Sequence, residues 1–382
     1  MGMRKPLIAG VTVGLAAVLA TACSSSSSSS STSTSTSTST GSSTGSSSST
    51  GSSADLGPQA AALKALYSKA VAAGQTSVVI YGPSSGTDQQ EYAAFKAAFP
   101  KITVSGVPVV GPPMDAKLAA EFSSGKHIGD IAYTGSTDML TYGQSGWFTP
   151  YTPVTVASSS DLAPASVGPD NEFYGASTAV SGIITNSNSS LPVPKTWSDL
   201  ENSVYKGKIA MSDPTATGIM ADTFAHLSLI PSGSKVESAL KTNDAQTFPV
   251  TSITGPLTAV AQGAKGLALG TMYSFYLGAK AAGAPVTFSL LNSDNYDTSL
   301  YDGIIKGAPD PLAAELYESW MFTPDGAKAI AAEGSYSTVN GAVAPQGLPS
   351  LSSISLQPTI PLDQIIKADN DAVTAAKQSW GG

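Results

Sequence analysis

The chain has 382 residues, a formal net charge of −8 and only 12% charged side chains, about half the usual charged share. No basic patch occurs along it, which excludes a nucleic-acid surface. The single cysteine excludes an intrachain disulfide.

Arg4 and Lys5 precede an apolar run over residues 6–20 that is too short for a membrane span, and Leu19-Ala20-Thr21-Ala22-Cys23 closes it with small residues before the cysteine. This resembles a bacterial lipoprotein signal, residues 1–22, which implies that Cys23 is acylated and becomes the first residue of the mature chain. Ala20 stands where such signals more often have Leu, and a plain secretory signal cut after Ala22 is the alternative. Residues 24–53 are almost entirely Ser, Thr and Gly. They cannot bury apolar surface, so 23–53 reads as a lipidated cysteine and flexible tether with a reach of roughly 30 Å. No later apolar run is long enough to span a membrane.

The remaining residues, roughly 325, suffice for two lobes with separate cores. Residues 60–73 carry helical spacing at Leu63, Leu66, Tyr67 and Val71, and residues 77–81 read as a buried strand. A Gly-Pro-Ser-Ser-Gly break follows, then a capping box from Thr87 to Gln90 opening a helix faced by Tyr92, Phe95 and Phe99. A strand over 102–110 and a helix with Leu118 and Phe122, closed by Gly125, come next. Residues 130–133 form a strand whose exit, Thr134-Gly135-Ser136-Thr137, opens a helix at Asp138. Residues 173–185 are extended. Residues 194–200 start a helix that leads to the stretch 205–218, YKGKIAMSDPTATG.

In that stretch a short strand over 209–211 runs into a hydroxyl-rich loop and then a helix with Met220, Phe224 and Leu227 on one face. Helix starts at strand ends are where ligands sit in open α/β sheets, and free N–H groups there favour anions. A plain cap by Thr215 or Thr217 is the competing reading. Leu257 and Val260 mark a further helix. Residues 266–270 form a strand running into Thr271-Met272-Tyr273-Ser274-Phe275-Tyr276 and a helix stopped near Gly283. Residues 286–290 are a strand and 292–302 are polar. A helix follows Pro309-Asp310-Pro311, Thr323-Pro324 caps its successor, and 361–380 forms a terminal helix. Strands alternating with helices predict an α/β protein with a mostly parallel sheet in each lobe.

Several segments together carry a family resemblance: SVVIYG, DIAYTG, GWFTPY, PKTWSDL, YKGKIAMSDPTATG, AGAPV and KGAPDPLAAELYESWMFTPDG. In order and spacing, from about Ser77 to Val343, they resemble the extracellular solute-binding proteins of ABC importers, in the ferric-iron, phosphonate, thiamine and polyamine branch. The resemblance implies a two-lobed, periplasmic-binding-protein-like type II fold with two hinge crossings, near 176–182 and 291–301. Residues 54–178 plus 296–382 would form lobe 1 and 179–295 lobe 2. It further implies a monomer that captures a small-molecule ligand, hands it to an ABC permease, and sits on the extracellular face of the membrane through its lipid anchor.

The resemblance also turns the strand-end loops toward a cleft. It places Ser84, Ser85, Thr87, Thr134 and Ser136 on one wall and Thr215, Thr217, Thr271, Tyr273 and Tyr276 on the other. Neutral hydroxyls and helix-start N–H groups suit a small anionic solute without burying charges. A polyamine or thiamine ligand would want acidic and aromatic groups in the cleft, and the loops offer Asp88, Asp138 and Asp213, but Asp in a first helical turn reads as a complement of the helix dipole. Iron-binding relatives place two adjacent tyrosines where this chain has Phe275-Tyr276, and His127 and His226 have no partner at ligand spacing. Directly held ferric iron is therefore disfavoured, while an iron chelate stays open. No cofactor, metal set or catalytic residues are expected: no G-x-S-x-G, H-E-x-x-H, Walker loop or G-x-G-x-x-G occurs. A non-transport surface sensor or a secreted enzyme on the same scaffold are the remaining alternatives.

Overall fold

The computed structural model describes residues 54–83 and 88–381. The leader, Cys23 and the Ser/Thr-rich stretch lie outside those residues. Helix α1 (Ala60–Ala72) buries Leu63, Leu66 and Ala70, one helical face, ahead of β1 (Ser77–Gly82). Helix α2 (Gln89–Ala98) buries Tyr92 and Phe95, and its first turn is held by Glu333, whose Oε1 accepts from the N–H groups of Gln90 at 2.7 Å and Glu91 at 3.3 Å. Then come β2 (Thr103–Pro108), α3 (Pro112–Ser124), β3 (Ile131–Gly135) and α4 (Ser136–Gln144). Gly125 ends α3 in the left-handed region, as expected from its position. Helix α4 begins at Ser136 rather than Asp138, so the hydroxyl residues form its first turn instead of a preceding loop.

Strand β4 (Tyr174–Asn186) is buried at every position. The expected helix at 194–200 is a short 3-10 turn, Trp197–Glu201, with a reciprocal Thr196–Asp199 capping box. The chain continues through β5 (Ile209–Ser212), α5 (Ile219–Leu227), α6 (Gly233–Thr242), β6 (Gln246–Phe248), α7 (Gly255–Ala261), β7 (Leu267–Met272), α8 (Tyr273–Ala281) and β8 (Val286–Ser289). It ends with β9 (Asp297–Ile304), α9 (Pro311–Met321), α10 (Pro324–Ala332), β10 (Tyr336–Ser337) and α11 (Leu362–Trp380).

The strand order is β2-β1-β3-β9-β4-β7-β5-β6, with β8 and β10 also pairing β4. Parallel pairing is confined to the outer parts, β1 with β2 and β3, and β5 with β6 and β7. Every pair that involves β4 or β9 is antiparallel. The expected mostly parallel sheets are therefore mixed. The reason is geometric: β4 leaves the first lobe and β9 returns to it, so the two crossings run side by side in opposite directions.

Each lobe has its own core. Phe95, Phe99, Tyr317 and Trp320 anchor one cluster of the first lobe, and Tyr81, Tyr142, Phe148 and Phe173 another. In the second lobe Met211, Phe224, Leu240 and Leu267 pack together beside a smaller cluster of Ile184, Leu257, Val260 and Val286. Strand β4 contributes to both, with Tyr174 and Ala176 in the first lobe and Ile183 and Ile184 in the second. Where it passes between them, a methyl on Gly182 would come within 2.2 Å of the Phe288 ring, so only glycine fits. Helix α11 also spans both lobes. Ile365 near its start joins the first-lobe core and Ala376 near its end joins the second, with α4 and α5 beneath it.

Candidate functional site

The exits of β3, β5 and β7 face one another across the crossings, and there a cavity of about 160 Å³ opens. This is where strand-to-helix turns present groups in α/β sheets. Thr134, Ser136, Thr137 and Asp138 line it from the first lobe, and Ser212, Thr217, Gly218 and Asp222 from the second. Thr298 and Leu300 of β9 contribute from the crossing, and Asp369 reaches in from α11. Met272, Phe275, Ile219 and Ile253 supply apolar surface. Gly218 enters α5 at φ 143°, a backbone conformation that side chains other than glycine's strain to adopt.

Three carboxylates line this cavity, and each is held by one threonine hydroxyl. Thr134 Oγ1 donates to Asp138 Oδ2 at 3.2 Å, the Thr298 hydroxyl to Asp222 Oδ2, and the Thr137 hydroxyl to Asp369 Oδ2. Asp369 is 6% exposed, and its Oδ1 is buried with no hydrogen-bond partner among the described residues. Burial raises the pKa of Asp138 to about 6, with Asp115 adding to it. Burial likewise brings Asp222 to about 6, assisted by Asp297, and Asp369 to about 7, assisted by Asp222.

Among the described residues no Lys, Arg or His lines the cavity, and Arg4 is the sole arginine of the sequence. His226 lies behind Asp222, with Nε2 3.7 Å from Oδ1, stacked on Tyr296 at 4.5 Å. Burial lowers its pKa to about 4, so it is neutral near pH 7. The expectation of an anion rested on neutral hydroxyls. The cavity adds three carboxylates to them, which sets its field against a bare anion. Among the described residues no three His, Cys, Asp or Glu side chains converge as they would around a metal ion.

Of the residues expected in the cleft, Thr134, Ser136 and Thr217 line the cavity together. Ser84, Ser85 and Thr87 fall outside the described residues. Thr215 does not line it: its N–H and hydroxyl both donate to Asp213 Oδ1, at 2.8 and 2.7 Å, closing a local turn. Thr271 is buried within β7, where its hydroxyl donates to the Gly182 carbonyl at 3.4 Å. Tyr273 turns away and donates to the Gln346 carbonyl at 2.9 Å, and Tyr276 packs beside it at 5.3 Å. Residues 273 and 276 share one face of α8 at helical spacing, and Phe275, on a different face, is the one that meets the cavity.

The sequence carries no signal that singles out Asp222, Thr298 or Asp369, and it favours a dipole complement over a ligand group for Asp138. Asp222 stands one turn into α5, a position that an extrapolation from the 212–218 loop could have reached. Asp369 carries no local signal, because only the docking of α11 brings it to the cavity.

A sequence profile of the family described as Bacterial extracellular solute-binding protein matches residues 90–351. Among solved structures, iron-bound HitA from Pseudomonas aeruginosa superposes with a TM-score of 0.64 at 17% identity, covering 80% of this chain and 99% of that one. AfuA from Actinobacillus pleuropneumoniae, with fructose-6-phosphate bound, gives 0.64 at 19% identity, covering 79% and 99%. The Trichodesmium protein IdiA (FutA), in complex with iron and citrate, gives 0.58 at 19% identity, covering 79% and 98%. No curated protein sequence matches the chain. The fold is the two-lobed type II arrangement of the periplasmic binding proteins.

Proposed function

The chain belongs to the bacterial extracellular solute-binding proteins, and from that membership we propose that it is the receptor of an ABC importer, capturing a small polar solute between its lobes. The observation that carries this reading is the cavity shared by Thr134 and Ser136 on one side, Thr217 and Asp222 on the other, and Thr298 at the crossing. Closure is a hinge movement about β4 and β9, with residues 54–178 plus 296–382 as one lobe and 179–295 as the other, except that Tyr296 and Ala376 pack in the core of the second. The closed form is handed to the permease. Attachment through Cys23 and the Ser/Thr-rich tether would hold this monomer at the extracellular face of the membrane. Binding without catalysis is the proposed mode, in keeping with the binding proteins that share the fold.

Iron is the second reading, because HitA and IdiA are iron-bound. The lack of a convergent metal set among the described residues supports an iron chelate over the bare ion. AfuA holds a phosphorylated sugar, so hydroxyl-rich anions belong in the same trial. The test is thermal unfolding of the full chain against amines, phosphate esters, phosphonates, carboxylates and ferric citrate. A true solute at 100 times its dissociation constant adds about 2.7 kcal/mol of stability. Saturable one-to-one binding with the solute recovered unchanged is expected. Turnover of the solute would establish an enzyme instead, and silence across every class would reject the receptor.

A further inference from the structure

We propose that the cavity takes a small organic ammonium ion, and that Asp369, carried in by α11, is one of the groups that hold it. The proposal rests on the receptor reading above and names the chemistry of its solute.

Asp138, Asp222 and Asp369 come from three separate elements and meet at one cavity. In each, one carboxylate oxygen is already fixed by a threonine hydroxyl, from Thr134, Thr298 and Thr137 in turn. A hydroxyl donor favours the ionised form and holds the carboxylate in one rotamer, so the second oxygens of Asp138 and Asp369 are oriented acceptors, while that of Asp222 has His226 Nε2 at 3.7 Å. The clearest is Asp369 Oδ1, buried and without a partner among the described residues. Buried acceptors are almost always satisfied, and because Asp369 itself lines the cavity, a bound solute is a ready source of the missing donor. A positive charge carrying several N–H donors answers both the charge and the vacant acceptor. The solute must also have a carbon skeleton, since Met272, Phe275 and Ile219 line the same space. A metal ion is the poorer occupant, because the acids do not converge on one point. A carboxylate or phosphate solute would want an arginine fork, and the only arginine is Arg4.

The family profile matches residues 90–351 and so includes Asp138 and Asp222 but not Asp369. The third acid is thus a feature of the segment beyond the match. That segment lies across α4 and α5, so the same helix that bridges the lobes also supplies a recognition group.

The charge environment fixes the pH dependence. Facing the three acids are Asp115 of α3, Asp297 of β9 and neutral His226 of α5. On α11 itself, Lys367 pairs with Asp371 on the exposed face. A cation binds better as the acids ionise, and an anion does the reverse.

Titration calorimetry of the full chain with 1,3-diaminopropane, ethanolamine, inorganic phosphate and malonate, at about pH 6 and about pH 8, tests this. One of the amines is expected to bind one to one, about tenfold more tightly at the higher pH, as for one acid that must lose its proton. Asp369→Asn should weaken that amine at least about tenfold and flatten the pH dependence, whereas Asp371→Asn on the outer face should do neither. Should Asp369→Asn fail to fold, Thr137→Val removes its orienting donor and is expected to weaken the amine in the same direction. Binding of phosphate or malonate in place of the amines, tightening toward acid, would overturn the ammonium solute and leave the receptor standing. Silence toward these probes and toward the whole thermal panel would overturn both. Unchanged amine affinity in a folded Asp369→Asn protein would remove Asp369 from the site.

Discussion

Asp302 sits in β9 between Tyr133 of β3 and Tyr174 of β4. It is 2% exposed, and its Oδ2 has no hydrogen-bond partner among the described residues. Burial, with Asp88 adding to it, raises its pKa to about 8. Glu91 and Glu318 nearby are likewise pushed well above the carboxylate range by burial. The folded carboxyl of Asp302 keeps its proton to about pH 8, while in the unfolded chain it ionises near about 3.9. Unfolding therefore releases a proton across that window, and rising pH favours unfolding. Stability should fall from about pH 5 to about pH 8, with a slope of up to about 1.4 kcal/mol per unit from this group alone. Asp302→Asn should flatten that slope in urea titrations, and an unchanged slope would clear Asp302 of the effect. At the cavity, Thr217→Val keeps the shape and removes a hydroxyl. It should weaken solute binding while leaving the urea midpoint nearly unchanged. A loss of about 1 kcal/mol of stability with unchanged affinity would make Thr217 merely a cap.

Among the elements, α11 is the one whose loss would reach furthest. Ala376 is 1% exposed against the second-lobe core, while Ile365 grips the first. Ala376→Asp buries an unpaired charge and should cost about 2–4 kcal/mol. Because Asp369 stands between these anchors, the substitution should also abolish solute binding, and a folded variant with full affinity would refute the coupling. The elements differ in how plainly the chain announces them. Thr323-Pro324 reads as a helix start and is one, with Thr323 Oγ1 accepting from Gly326 N–H at 3.0 Å. Helix α6 gave no such notice: its buried contacts are Gly233, Val236 and Leu240, too few to show a period. Strand β9 hid within a stretch read as polar, because Asp297, Thr298 and Ser299 precede its apolar half. The cavity was legible only as far as its loops. Thr134, Ser136 and Thr217 stand at strand exits, where pattern reading points, whereas Asp222 and Asp369 lie inside helices and are brought in by tertiary packing.

For the molecule as a whole, the pairing of β4 with β9 carries a main-chain ladder between the lobes alongside α11. A hinge at this place would bend a pair of strands held from Ser177↔Leu300 to Val180↔Asp297. Solute closure should shrink the radius of gyration of the full chain in small-angle scattering, and a saturating solute that leaves it unchanged would argue for a rigid cleft. The antiparallel centre was not foreseen from the alternation of strands and helices, since that alternation reports local crossovers and is blind to the return of a distant segment.

The reach of those returning segments also orders the way the chain can fold. The second-lobe core draws mainly on residues between Ile183 and Tyr296, which are made in one run, with only α11 added later. The first-lobe core instead joins Leu63 and Phe95 to Leu316, Tyr317 and Trp320 across most of the sequence. Such distant pairings are slow to form because the loop entropy comes due before the contacts do. A chain emerging from its N-terminus must keep Leu63, Phe95 and Phe99 uncovered until α9 arrives. Most of the second-lobe core is made before α9 closes the lobe that was begun first.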